Sequence, residues 1–253
     1  MSRDLRSADP AGGGHAAPDP FRAFDIERWP SGLRDLLGPH DEIPLSTDDL
    51  RAIGAATPGF PGRGDLSRSV LENLADTLST YSDGGHLRLG ACSFKAGHAP
   101  AEPARTLKDA LNVMMRPNPR VAAAVSRLIE GSYDASLFLI PWRAIPPWGE
   151  FRAFVRDGAV IGLSQYRTDR AFPEITQDPQ RWADRIAPVI WSIIEAGPPD
   201  PVVVDVAYTP QDDVVRLLEI NPFSTVTDAC LFSWDNLSRF DGTFRFVHMR
   251  NDF

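Results

Sequence analysis

The chain has 253 residues, 43% of them hydrophobic, and a net charge of −8. That is enough apolar material for one large domain or two small ones, and the acidic balance excludes a broad duplex-binding face while leaving room for a local basic pocket. No apolar run reaches the roughly 18 residues of a membrane span, so neither nucleic acid nor membrane is an expected partner. The opening MSRDLRSADPAGGGHAAPDP lacks the apolar core of a secretory signal. Two cysteines, Cys92 and Cys230, are too few for a disulfide framework or a cysteine-rich zinc site and suit a cytoplasmic location. The 26 basic residues are 24 Arg and two Lys, Lys95 and Lys108. A GC-rich genome accounts for such a bias, which makes the two surviving lysines worth following.

Residues 1–20 show no periodicity and read as a disordered tail. Residues 21–63 carry Phe21, Phe24, Trp29 and Phe60 among Pro and Gly, an irregular segment with room for short helices near 29–37 and 48–56. Val70, Leu71, Leu74 and Leu78 predict a helix over 66–81. Asp83-Gly84-Gly85 ends it, and alternation predicts one strand over 86–92 before a Pro/Ala loop at 96–104. Thr106 with Asp109 three residues on predicts a capped helix to about 116, and Asn118-Pro119 a second one to Gly131. SLFLIPW at 136–142 reads as a buried strand. FRAFVRD and AVIGLSQY flank Asp157-Gly158, the preferred two-residue hairpin turn. Asp178-Pro179 opens a helix to about 195 with Pro188 inside it. A second hairpin pairs 202–207 with 214–220, and 244–249 reads as a last strand. Helices interleaved with antiparallel hairpins make this an α+β fold rather than a parallel doubly wound sheet. The boundaries that follow are a tail at 1–20, an N-terminal segment at 21–85, a first lobe at 86–142 and a second at 143–253.

Four places carry possible chemistry. Asp205 sits in a run of valines, where an ionised carboxylate is costly unless paired or metal-bound. Glu219 and Asn221, two residues apart, share one face of the returning strand, with Asp205 opposite or diagonal to Glu219. Two carboxylates and an amide oxygen suit a hard cation such as Mg²⁺; they also suit a solvated sheet end with Asn221 capping a turn. Arg88 and Lys95 bracket R-L-G-A-C-S-F-K, which can neutralise phosphates or be two surface cations, and no Walker A loop is present. Arg152 and Arg156 share a strand face, able to grip phosphate or to stand in solvent. The backbone of LFLIPW could receive a flat heterocycle or belong to an ordinary core strand. Trp142 and Trp148 lie beside that segment, and His86, His98 and Cys92 near the cations.

Read together, LRLGACSFK, TLKDAL, LFLIPWRAIPPWGEFRAFVRDGAVIGLSQY, VVVDV and LEINPFSTVTDACLFSW resemble the cell division cycle protein 123 family, a compact branch of the ATP-grasp superfamily, over residues 85–240. The 24 arginines point to a bacterial member. The resemblance implies two α+β lobes with antiparallel sheets enclosing a cleft for ATP and Mg²⁺. Asp205, Glu219 and Asn221 would hold the metal against the β- and γ-phosphates. Arg88 and Lys95 would supply the two phosphate cations, Arg152 would touch the phosphate end, and Leu139, Ile140, Pro141 and Trp142 would receive the adenine. Lys95 and Arg152 would be the catalytic pair. Departures are Arg88 for a Lys, Phe94 for a Pro, Ala96 for an Asp, and Glu219 for an Asp.

Two functions follow from that resemblance. The first expected is an ATP-dependent ligase that makes an acyl phosphate on an acceptor, either a small acid or a protein tail. The alternative is an ATP-binding assembly factor for a protein complex, as eukaryotic relatives are regarded.

Overall fold

Two sheets divide the chain in the computed structural model, which describes residues 19–95 and 102–249. The expected tail at 1–20 falls almost wholly outside that range, as does His98. Two 3₁₀ turns, Arg22–Phe24 and Ile26–Arg28, lead into α1 (Ser31–Leu37). Then come β1 (Asp41–Leu45), α2 (Thr47–Ala55), α3 (Arg68–Thr80), β2 (Gly85–Leu89) and β3 (Cys92–Ser93). Helices α4 (Leu107–Met114) and α5 (Pro119–Glu130) precede β4 (Ala135–Pro141). The first sheet runs β1-β4-β2-β3 with antiparallel pairings.

The second sheet begins with the hairpin of β5 (Glu150–Arg156) and β6 (Ala159–Gln165). Asp157 and Gly158 both have positive φ, 53° and 67°, the backbone that the Asp-Gly turn predicts. A short α6 (Pro173–Thr176) and the long α7 (Pro179–Glu195) follow, then the hairpin of β7 (Val202–Thr209) and β8 (Val214–Pro222) and a final β9 (Phe244–Arg245). The order is β8-β7-β5-β6-β9, antiparallel except where β9 runs parallel to β6. The fold is therefore mixed α+β on two sheets.

Local chemistry fixes the helix starts. Asn118 accepts from the backbone N–H groups of Arg120 and Val121 at 3.1 and 3.3 Å, with Pro119 in the first turn of α5. Thr106 and Asp109 form the expected capping box. Asp178 caps α7, which runs through Pro188 without ending and buries Trp182, Ile186, Ile190 and Ile193 at helical spacing.

Three features differ from the sequence expectations. The strand expected over 86–92 is a tight hairpin, because Gly90 takes φ +52° and turns β2 into β3. Residues 41–45, read as irregular, form β1 against β4; Pro44 is tolerated there because β1 is an edge strand. The final strand is two residues rather than six.

Each sheet has its own core. Ile43, Leu74, Leu87, Leu137 and Leu139 pack with α2–α5 on the first sheet. On the second, Phe151, Ala153, Val204 and Val206 pack under α7. Phe24, Ile26, Trp29, Leu33 and Leu37 join that second core, far from them in sequence. The opposite face of the second sheet is covered by Phe154, Val203, Phe232 and Phe240. Among the described residues no helix is long and apolar enough to cross a membrane.

One cap carries a testable charge. Burial alone would raise the Asp49 carboxyl, but hydrogen bonds from Ser46 and Ser67 outweigh it and hold it below its ordinary value of 3.8. The unfolded chain then takes up this proton first as pH falls. The stabilisation is therefore present above the ordinary carboxylate pKa and lost as pH drops through the lower folded value. Asp49→Ala is expected to cost about 1–2 kcal/mol at neutral pH, and less at pH 3, in urea unfolding. A loss independent of pH would refute the assignment.

Candidate functional site

The interval between the sheets, crossed by residues 142–149, forms a cleft of about 350 Å³. Its lining includes apolar Ile140, Pro141 and Trp142 at the end of β4 and, from the crossing, Ile145, Pro146 and Pro147 beside Arg143. Trp142 is tied back by its N–H to the Gly84 carbonyl at 2.8 Å. Charged groups also line the cleft: Arg88, Lys95, Arg120, Arg167, Glu150 and Glu219.

Each of these is placed by its element. Arg88 lies in β2, 4% exposed, and donates through Nη2 to the Ala91 carbonyl at 2.7 Å and pairs through Nη1 with Glu219 Oε2 at 2.9 Å. Its Nε is buried with no partner among the described residues. Lys95 follows β3, with its carbonyl 3.4 Å from the Asn118 amide at the start of α5. Arg120 stands in the first turn of that helix and Arg167 just beyond β6. Lys95, Arg120 and Arg167 have no carboxylate at ion-pair distance among the described residues, so the cleft presents cations without counter-charges. An anion is the ligand such a surface favours.

Asp205 and Glu219 stand opposite one another across β7 and β8, at a bulge that follows Asp205. The expected pairing is therefore observed, but both carboxylates are engaged. Asp205, fully buried, accepts from Arg152 Nε and Nη2, each at 2.7 Å, and Arg152 Nη1 donates to the Asp228 carbonyl at 2.7 Å. The Arg152 guanidinium also lies over the Tyr166 ring at 4.9 Å. Asn221 Nδ2 donates to Asp205 Oδ2 at 3.1 Å and to Glu219 Oε1 at 3.3 Å. Each of these two expected metal ligands already has a guanidinium beside it, because strands distant in sequence bring one to it. Among the described residues no group of three or more His, Cys, Asp or Glu could hold a metal. The donor set does fit a hard cation in one respect. The two carboxylates and Asn221 meet at one point, now filled by the amide N–H₂, and turning that amide presents its oxygen there instead.

Charge states follow from these surroundings. Burial pushes the Asp205 carboxyl up, opposed by Arg152 and reinforced by Glu219. Burial also works against the Glu219 carboxylate, yet Arg88 and the hydrogen bonds it receives hold it well down. Glu150 is pushed up to about 8 by burial and then by the Asp205 charge, so it carries its proton at neutral pH. His86 is pushed down to about 4 by burial and then by Arg88, so its imidazole is neutral; its ring centroid is 6.4 Å from that of Trp142.

The structure brings Arg88, Lys95, Ile140, Pro141, Trp142 and Glu219 together on the cleft wall. Asp205, Asn221 and Arg152 are not on that wall; Asp205 and Asn221 lie behind Glu219, and Arg152 turns to Asp205. The Leu139 side chain is buried in the first core, its backbone lies between β1 and β2, and its carbonyl accepts from Tyr81 Oη at 3.2 Å, so it is not on the cleft wall. Trp148 packs tilted against Trp182 and stacks on Tyr208, and it does not line the cleft. Arg120, Arg167 and Glu150 join the wall without having been expected there. Glu150 was findable, because it lies two residues before Arg152 and so shares its strand face. Nothing local marks Arg120 or Arg167, which the packing of α5 and the end of β6 bring to the cleft.

Two sheets with a cation-lined cleft between them define the α+β class of this protein. A D123 family model matches residues 120–252, and the chain belongs to that family. The "Translation initiation factor eIF2 assembly protein" of Xenopus tropicalis is 32% identical over 103 residues, 41% of this chain and 31% of that one. Its namesake in Candida albicans is 32% identical over 130 residues, 47% and 35% of the two chains. "Cell division cycle protein 123" of Candida glabrata is 35% identical over 105 residues, 41% and 29%. The matched stretch thus spans about a third of the length of these relatives. The structure of Cdc123 from Schizosaccharomyces pombe superposes with a TM-score of 0.72 at 19% identity, covering 89% of this chain and 96% of that one, and so shares the fold.

These relatives overturn the ligase expectation. They are named for assembly of an initiation factor, not for joining an acid to an amine. The acceptor expected with it, a small acid or a protein tail receiving a phosphoryl group, is set aside with it, since the relatives are named for assembly. The three relatives come from a frog and two yeasts, so the expected bacterial source draws no support from them.

Proposed function

We propose that this chain is a nucleotide-dependent assembly factor: it binds ATP in the inter-sheet cleft and, in that state, a protein subunit that it helps to assemble. The supporting observation is that one cleft is lined both by apolar Ile140, Pro141 and Trp142 and by Lys95, Arg120 and Arg167, which lack counter-charges among the described residues. A purine needs apolar faces and backbone hydrogen bonds, and a triphosphate needs unpaired cations. Arg152 would contribute by holding Asp205 rather than by touching phosphate. Mg²⁺ would be held by Asp205, Glu219 and Asn221, and would screen the phosphate charge when bound. The initiation factor named in the relatives suggests that the partner is a protein subunit of a translation complex.

Titration calorimetry with ATP, with and without Mg²⁺, is the primary test, and binding in the micromolar range or tighter is expected. Absence of heat from the folded chain would remove the nucleotide reading. A pull-down from the source organism should then return a stoichiometric protein with ATP present and lose it without nucleotide. Recovery that ignores ATP would separate the partner from the cleft.

A further inference from the structure

Asp25, in the N-terminal segment, is tied to the elements that carry the cleft cations. Asp25 is fully buried between the two 3₁₀ turns and carries four hydrogen bonds from guanidinium and backbone donors. Arg127 on α5 donates Nη2 to Oδ1 at 2.9 Å and Nη1 to Oδ2 at 3.0 Å, and Arg22 donates to Oδ2 at 2.9 Å. The fourth donor is the backbone N–H of Ala91, 3.2 Å from Oδ1, in the hairpin turn between β2 and β3. Ala91 in turn offers its carbonyl to Arg88 Nη2 at 2.7 Å, while Arg88 Nη1 takes Glu219. The turn is fitted to this carboxylate. A Cβ on Gly90 would lie 2.8 Å from Asp25 Oδ1, and Gly90 holds φ +52°.

We infer that Asp25 is a positioning residue for the anion-binding end of the cleft: it fixes the Gly90–Ala91 turn, and through the Ala91 carbonyl it sets the plane of the Arg88 guanidinium. A guanidinium is a flat fork, useful to an oxyanion only in one orientation. Arg88 is held at two corners, and its Nε is the buried donor left without a partner among the described residues. Releasing the turn frees one corner and lets the fork rotate towards Glu219. Arg127 ties the same carboxylate to α5, the helix whose first turn carries Arg120 and whose cap contacts Lys95. One buried acid thus connects the elements that bear three of the cleft cations. The inference rests on the nucleotide reading of that cleft.

The test compares ATP with adenosine, which lacks the phosphates, by calorimetry on the full chain and on Asp25→Ala. The ATP dissociation constant is expected to rise about tenfold, the loss of roughly one charge-assisted hydrogen bond, with adenosine binding within about twofold of wild type. Equal weakening of both ligands, or unchanged ATP binding, overturns the inference. Should Asp25→Ala fail to fold, Gly90→Ala disturbs the same contact from the turn side and is expected to give the same selective loss; unchanged ATP affinity there also overturns it. A wild-type chain that binds no ATP sinks the nucleotide reading and this inference together, whereas normal wild-type binding with unselective variants sinks only the inference.

Discussion

Arg152→Ala is expected to lower stability by about 3–5 kcal/mol, because it strands the Asp205 carboxylate in a fully buried strand. The pair costs desolvation on both sides and returns it only through its two parallel 2.7 Å hydrogen bonds. Removing Asp205 as well, in Arg152→Leu with Asp205→Leu, should recover much of the loss, since no isolated charge remains. The pH dependence has a definite sign. Without Arg152 the folded-state pKa of Asp205 rises further above its unfolded value, so the folded state binds the proton more readily. Stability then falls as pH rises between the two values. The gap between wild type and Arg152→Ala should therefore widen from pH 5 to pH 8 in urea unfolding. A gap under about 1 kcal/mol, or one that narrows, would show that Arg152 does not neutralise Asp205.

Arg88→Ala is expected to weaken ATP binding by roughly 10–100-fold, from about 1.5–3 kcal/mol for hydrogen bonds to a charged group. Arg88 is buried in β2 with a spare donor, and Glu219 beside it would lose its cation at the same time. Arg88→Lys keeps the charge but not the planar fork, so it should recover only part of the affinity. Adenosine affinity, measured in parallel, should stay near wild type. ATP binding unchanged in Arg88→Ala would place the phosphates elsewhere in the cleft.

Local rules made much of the fold legible. Asp157-Gly158 located one hairpin, Asn118-Pro119 and Asp178-Pro179 located two helix starts, and residue counting across 205–219 located the facing carboxylates. What stayed hidden was pairing at a distance. Arg152 and Asp205 are separated by 53 positions, and whether an acid inside a valine run meets a metal or a guanidinium depends on which strand lies beside β7. Strand β1 was hidden for another reason: DEIPL has two acids and a proline and shows no strand pattern, which only an edge position permits. The tie from Asp25 to Ala91 spans 66 positions and carries no local signature.

The packing of Phe24, Ile26, Trp29, Leu33 and Leu37 into the second core, beside β8, has a consequence for synthesis. These side chains leave the ribosome early, yet the surface that covers them is made more than a hundred residues later. Contacts so distant along the chain close slowly, and an apolar segment waiting for them is open to wrong associations. The first sheet can form in the meantime, because the elements from β1 to β4 supply its core among themselves. The nascent chain should thus carry a folded first half with a sticky, unplaced leader, and capture of that leader by the second half would be the late step that completes the cleft.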